Sequence, residues 1–278
     1  MSDTLLEAIA RGVTVYDLAQ PFESGMPCSP NHPGFRLALL RRHGDMVRAD
    51  GSSAANELIV TGGHVGTHVD ALAHVSFEGL LHGGLSAAEN QVGGRMSRLG
   101  ADEIAPMVCR GILLDVARLH GLDTLAGGRG VDADDLRSAA RDAGVEPSRG
   151  DVVLVRTGWA RHWTDPTTYL GQETGVPGVT EDAASWLADR GVRATGADTT
   201  AYERIPAGAG HRSLPVHRLL LVEHGVHIIE HLDLEGLARD RVAEFGFVLA
   251  PLKIVGGTGS PVRPLALVAS VSSVPQKG

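Results

Sequence analysis

Short aliphatic and β-branched runs recur along the chain at Val13 to Leu18, Gly111 to Val116, Val152 to Arg156, Val226 to Ile229 and Phe245 to Leu249. Runs of this length, without the 3.6-residue period of an amphipathic helix, predict buried strands. Helical segments fall between them. Asp132 is placed to cap a helix that Gly144 ends, Thr180 to cap one ending near Gly191, and Pro215 to open one that stops at Gly225. The glycine-rich stretch from Leu125 to Val131, with Gly127, Gly128 and Gly130, predicts a flexible surface loop. The alternation is that of an α/β or α+β protein. Its mixed order argues against a strict TIM barrel, and the absence of G-x-G-x-x-G after the first strand removes support for a dinucleotide fold. No repeat, heptad run or linker interrupts the pattern, so residues 1–278 are expected to form a single domain.

Composition changes this picture little but narrows the partners. With a formal charge of −8, and with Lys253 and Lys277 the only lysines among 25 basic residues, the chain offers no basic surface for a nucleic-acid backbone. Cys28 and Cys109 form no metal or redox motif and are expected as free thiols in a reducing compartment. The first residues are acidic, and no apolar run reaches eighteen residues. A cytoplasmic protein without a membrane role is expected, acting on a small molecule.

The chemistry is concentrated between residues 64 and 74, which read H-V-G-T-H-V-D-A-L-A-H. His64, His68, Asp70 and His74 supply the nitrogen and oxygen donors that Zn²⁺, Mn²⁺ or Fe²⁺ accept, and no thiol is near to favour a structural zinc site. Thirteen histidines make some clustering ordinary, and a lone histidine is usually scaffold. A packed-core account of all four is weakened by Gly62, Gly63 and Gly66 and by the lack of a long apolar face. Those glycines, with Val65, Thr67 and Val69, oppose a helix and favour a strand end or turn. No Glu follows His64, so the H-E-x-x-H protease arrangement is missing.

A catalytic centre needs further donors, and the stretch from His211 to His231 provides them. His217 falls at the start of the Pro215 helix and Glu230 at the end of the following strand, two positions able to converge. Glu223, His224, His227 and His231 read as half-buried scaffold or solvated surface.

On these residues the chain resembles the Putative cyclase family of metal-dependent hydrolases, which includes bacterial kynurenine formamidase (arylformamidase) and isatin hydrolase. The family pattern H-x-G-T-H-x-D-x-P-x-H is matched in register by His64, Gly66, Thr67, His68, Asp70 and His74. Similarity continues through Val15 to Leu18, Gly25 to Pro27, Leu113 to Asp115, Gly150 to Val152, Thr157 to Trp159, Gly196 to Thr199 and His217 to Glu230. The resemblance implies a swivelling-type β/β/α domain, usually a homodimer, with two divalent metals, Zn or Mn. It places His64, His68 and Asp70 at one metal and His217 at the other, with Asp70 and Glu230 bridging and His74 as acid/base. Leu72 replaces the motif proline, which has no ligand atom to lose. The segment equivalent to the substrate-contacting P-x-W-P-G-D of kynurenine formamidases reads Pro27-Cys28-Ser29-Pro30-Asn31, which argues against N-formylkynurenine as substrate. Trp159, Trp163 and, more weakly, Phe77 are candidate pocket aromatics.

The function this implies is hydrolysis of a C–N bond in an amide, formamide or cyclic amide. A divalent ion lowers the pKa of water toward about 7 and polarises a carbonyl oxygen. A lyase or ring-closing dehydration at the same centre, and a non-catalytic metal-binding protein, are the alternatives. Substrate identity is expected to reside in the loops Pro21 to Pro33 and Trp159 to Gly178.

Overall fold

The computed structural model describes residues 4–269. Its frame is a nine-stranded mixed sheet in the order Val13–Asp17, Leu265–Ala269, Glu244–Leu249, Met107–Asp115, Val152–Arg156, Ala194–Ala197, His227–Glu230, His68–Asp70 and Gly259–Pro261. The four strands from Met107–Asp115 to His227–Glu230 run parallel, and the pairings outside them are antiparallel. Parallel strands with cover on both faces read as continuous apolar runs, and Val152–Arg156 is buried at every position. Ile112, Leu114, Val153 and Val155 face one core, under the helices Ala133–Ala143 and Glu181–Asp189, while Leu113, Val152 and Leu154 face a second core with Phe245, Phe247 and Leu237.

The five predicted strands are all present, with one difference in burial. Val13–Asp17 is the outermost strand, and its middle positions are exposed rather than buried because only Leu265–Ala269 lies beside it. Four sheet strands lie outside the predicted set: Leu265–Ala269, although itself an apolar run, and Ala194–Ala197, His68–Asp70 and Gly259–Pro261, which are short and built largely of small or polar residues. Ala194–Ala197 is buried in mid-sheet through small residues. A Cβ at Gly196 would press against the Leu232 side chain and the Ile229 carbonyl.

The helix boundaries follow the predicted caps with two corrections. Asp132 accepts from the Asp135 backbone N–H at 2.9 Å, and Gly144 closes that helix at φ +67°. Thr180 occupies the N-cap position of Glu181–Asp189 but does not cap it. Its hydroxyl donates to the Val131 carbonyl at 3.0 Å and also meets Asp182. The stretch from Leu125 to Val131 is not a flexible surface loop: Leu125 and Val131 are buried, and Gly130–Val131 pairs in parallel with Gly178–Val179. The Pro215 segment makes one α-turn to His217, widens into π-helical turns over Arg218–His224, and ends at Gly225 with φ +66°.

A hairpin of Arg36–Arg41 and Asn56–Val60 stands away from the sheet, with Leu37, Leu39, Leu40, Leu58, Ile59 and Val60 each 49–66% exposed. Both cysteines are free and half-buried. Among the described residues no helix is long and apolar enough to cross a membrane.

Candidate metal centre

The carboxyl ends of the parallel strands meet the His68–Asp70 strand beside them, a position where open α/β sheets place their ligands. Glu230, at the end of its strand, lies directly opposite His68 in the antiparallel register. Two segments far apart in sequence thus present donors side by side. Gly66, at φ +63°, turns the chain into this strand where a Cβ would strike the Phe22 ring, and Gly259 leaves the space that the His64 imidazole fills. Leu72, in the place of the family proline, packs against the helix-side core.

Asp70 and Glu230 each divide their oxygens between two imidazole groups. Asp70 Oδ1 lies 2.8 Å from His64 Nδ1 and 3.5 Å from His68 Nε2, whereas Asp70 Oδ2 lies 3.6 Å from His217 Nε2. Glu230 Oε2 lies 3.6 Å from His68 Nε2 and its Oε1 3.2 Å from His217 Nε2. The outer nitrogens fix the ring orientations. His68 Nδ1 donates to the Gly66 carbonyl at 2.8 Å and His217 Nδ1 to Glu203 Oε1 at 2.6 Å, so each turns its Nε2 inward to the carboxylates, where a bound cation would take the place of an Nε2 proton.

These residues fit a divalent cation. Donor atoms at two corners of a tetrahedron with bonds of about 2.1 Å stand roughly 3.4 Å apart, close to the four separations of 3.2–3.6 Å around Asp70 and Glu230. Asp70 Oδ2 is buried without a hydrogen bond, an uncompensated acceptor of the kind a cation satisfies. Three donor groups converge here: His64, Asp70 and His74; His68, Glu230 and His231; Asp70, His217 and Glu230. The electrostatics point the same way. Burial opposes a charge on His217, yet the carboxylates of Glu203, Glu230 and Asp70 outweigh it and carry the imidazole up to about 10. Burial likewise opposes ionisation of Asp70, but the surrounding imidazoles hold it well below the usual carboxylate range.

The structure therefore gathers His64, His68, Asp70, His74, His217 and Glu230 around one small chamber. His74 stacks on His64 with ring centroids 3.8 Å apart, and desolvation pushes it down to about 3. The three candidate aromatics lie elsewhere. Trp159 is buried and donates its indole N–H to the Tyr169 carbonyl, and Trp163 packs edge-on against Tyr169 and, from the core side, against His231. Phe77 sits at the surface under the Arg218 guanidinium, 4.9 Å from its ring centre. None of the three lines the chamber.

Four residues outside the predicted donor set belong to the same construction: Glu203 and Thr258, which the sequence leaves unmarked, and His227 and His231, which it reads as scaffold or surface. Glu203 accepts from the Val216 and His217 backbone N–H groups at 3.1 and 3.0 Å besides the His217 ring. His227 Nδ1 donates to the Asp70 carbonyl at 2.8 Å, and Thr258 Oγ1 lies 3.0 Å from His64 Nε2. His231, read from sequence as scaffold, lines the chamber at a left-handed φ of +56° and hydrogen-bonds Tyr169 at 3.1 Å. A non-glycine residue held there marks a position that the surroundings over-determine.

The chain is similar to known proteins in both sequence and fold. Over 129 residues the chain is 36% identical to the isatin hydrolase of Roseibium aggregatum, a match covering 44% of this chain and 47% of that protein, so it spans about half of that relative's length. It is 24% identical to the kynurenine formamidase of Sphingopyxis alaskensis over 253 residues, 90% of this chain and 96% of that one. A crystal structure described as a novel cyclase superposes with a TM-score of 0.83 at 26% identity, covering 96% of this chain and 93% of the other. Residues 16–204 match the sequence pattern of the family described as Putative cyclase, and the chain belongs to that family.

Proposed function

We propose that this protein is a metal-dependent hydrolase that cleaves a C–N bond, of an amide, formamide or cyclic amide, in a small molecule. The carrying observation is the division of Asp70 and Glu230, each offering one oxygen to one imidazole set and the other to a second. That division supports two divalent ions, Zn or Mn, of which His64, His68 and Asp70 would hold one and His217 the other, with Asp70 and Glu230 within reach of both. Such ions supply Lewis acidity, lowering the pKa of water and polarising a carbonyl oxygen. The relatives' names, isatin hydrolase and kynurenine formamidase, support the choice of hydrolysis.

The chain's own residues do the rest. Glu203 and the Gly66 carbonyl hold the His217 and His68 rings by Nδ1, so that Nε2 of each faces the shared carboxylates. We assign to His74, stacked on His64 beside the donor cluster, the transfer of a proton from the attacking water to the departing nitrogen, a role its geometry allows and turnover in the His74→Ala variant tests. We also take the working unit to be a homodimer, supported by the exposed apolar hairpin of Arg36–Arg41 and Asn56–Val60.

The test is elemental analysis of protein purified without chelator or affinity-tag histidines, followed by product masses on formamides and cyclic amides. Near two equivalents of metal are expected, with a ring-opened product heavier by one water from each cyclic amide, and free amine plus formate, together heavier by one water, from each formamide. Metal near one equivalent removes the paired-ion arrangement, and products lighter by one water or unchanged in mass replace hydrolysis with dehydration or isomerising closure.

A further inference from the structure

Outside the donor chamber lies a second cavity of about 490 Å³, sharing Ser29, Thr200 and His211 with the first. Its composition is unlike that of an aryl pocket. No aromatic ring apart from the His211 imidazole stands in its wall, and neither does any carboxylate. Its apolar side chains, such as Leu170 and Ile205, are aliphatic, and its one permanently charged group is Arg212. In a chain of formal charge −8, a wall free of acids around an arginine is a local inversion of the overall field. Arg212 is exposed and, among the described residues, is held by no hydrogen bond or ion pair, in contrast to Arg218, which is tied to Glu181 and Glu223. At the neck between the cavities Thr200 is only 4% exposed, and its buried hydroxyl has no hydrogen-bond partner. A buried hydroxyl left unpaired is costly unless a ligand supplies the partner.

We propose that the outer cavity receives the non-aromatic, carboxylate-bearing tail of the substrate. Arg212 pairs with the carboxylate, and Thr200 hydrogen-bonds the substrate where it passes into the donor chamber. This rests on the hydrolase reading. In the reaction one water adds across the C–N bond, so that an N-formyl amino acid gives formate and the free amino acid. Guanidinium recognises carboxylate with two parallel hydrogen bonds, which gives it a preference over a neutral amide of the same shape.

Three probes test this on the metal-loaded full chain: N-formyl-β-alanine, its neutral methylamide, and formanilide. The acid is expected to be cleaved with a kcat/KM at least about tenfold above the methylamide, and formanilide to be the poorest. Arg212→Gln should bring the acid-to-amide ratio to about one by raising KM with kcat kept. Thr200→Val should raise KM for both aliphatic probes, and Thr200→Ser should restore it. A ratio near one in the parent chain, a ratio that survives Arg212→Gln, or a preference for formanilide overturns the proposal. If no probe is turned over, the hydrolase reading fails for these bonds, and the cavity is judged by calorimetry with succinamate. Binding lost in Arg212→Gln then upholds the carboxylate site, and binding retained in that variant, or absent in the parent, removes it.

Discussion

His217 shows how much of this centre is set one residue at a time. Its ring is gripped at Nδ1 by Glu203 and faces Glu230 and Asp70 through Nε2, so its orientation depends on a carboxylate that touches no other donor residue. Glu203→Gln keeps the shape but loses the charge and the clean acceptor geometry. Metal affinity should fall roughly 10- to 100-fold with the fold intact, read by competition against a chelator. Unchanged affinity would reduce Glu203 to a cap on the backbone of residues 216 and 217. His74 carries the opposite expectation. His74→Ala should retain its metal and lose about 10² to 10⁴ in turnover, whereas a variant purified without metal would make His74 a ligand, as its grouping with His64 and Asp70 permits. The six clustered candidates are legible in the sequence because donor chemistry resides in the side-chain type. Glu203 and His231 are not, because a lone glutamate and one more histidine acquire their meaning only where the chain brings them together.

At the scale of elements, apolar runs reveal the strands of the sheet centre, such as Val152–Arg156, and miss those built of small or polar residues, such as Ala194–Ala197 and Gly259–Pro261, while the apolar run Leu265–Ala269 is also not among those predicted. Ala194–Ala197 is followed by Asp198, a fully buried carboxylate that accepts from the Thr157 N–H and hydroxyl and the Gly158 N–H at 2.6–2.9 Å, pinning the turn after Val152–Arg156. Burial outweighs these donors and pushes its pKa up to about 6. A carboxyl raised on folding adds stability fully below its unfolded value, near 4, and that contribution is lost as the pH climbs through about 6. In metal-free protein, the stability difference between the parent chain and Asp198→Asn should therefore shrink from about pH 4 to 7 and level off beyond, by urea unfolding. Parallel curves would show that the donors keep Asp198 ionised throughout.

For the whole molecule, the exposed hairpin carries the expectation of self-association. Leu37 and Ile59 are cross-strand partners, and Ile59 also lines an apolar groove with Phe22, Phe35 and Leu252. Light scattering after size exclusion should give twice the chain mass, and Leu37→Asp with Ile59→Asp should halve it; a monomeric parent chain removes the homodimer. The pairing of His68 opposite Glu230 has a consequence of another kind, for the order of events during folding. Asp70 and His227, which cross this pairing, are 157 residues apart in the chain. The 64–74 segment leaves the ribosome before the strand that completes its donor set, so its donors are expected to come together only once the sheet has closed. On the metal-dependent reading, cation capture is expected to come last in maturation, since a cation met earlier would find only half of the donor set. Refolding from urea should recover more active protein when metal is added after the backbone has folded than when it is present from the start.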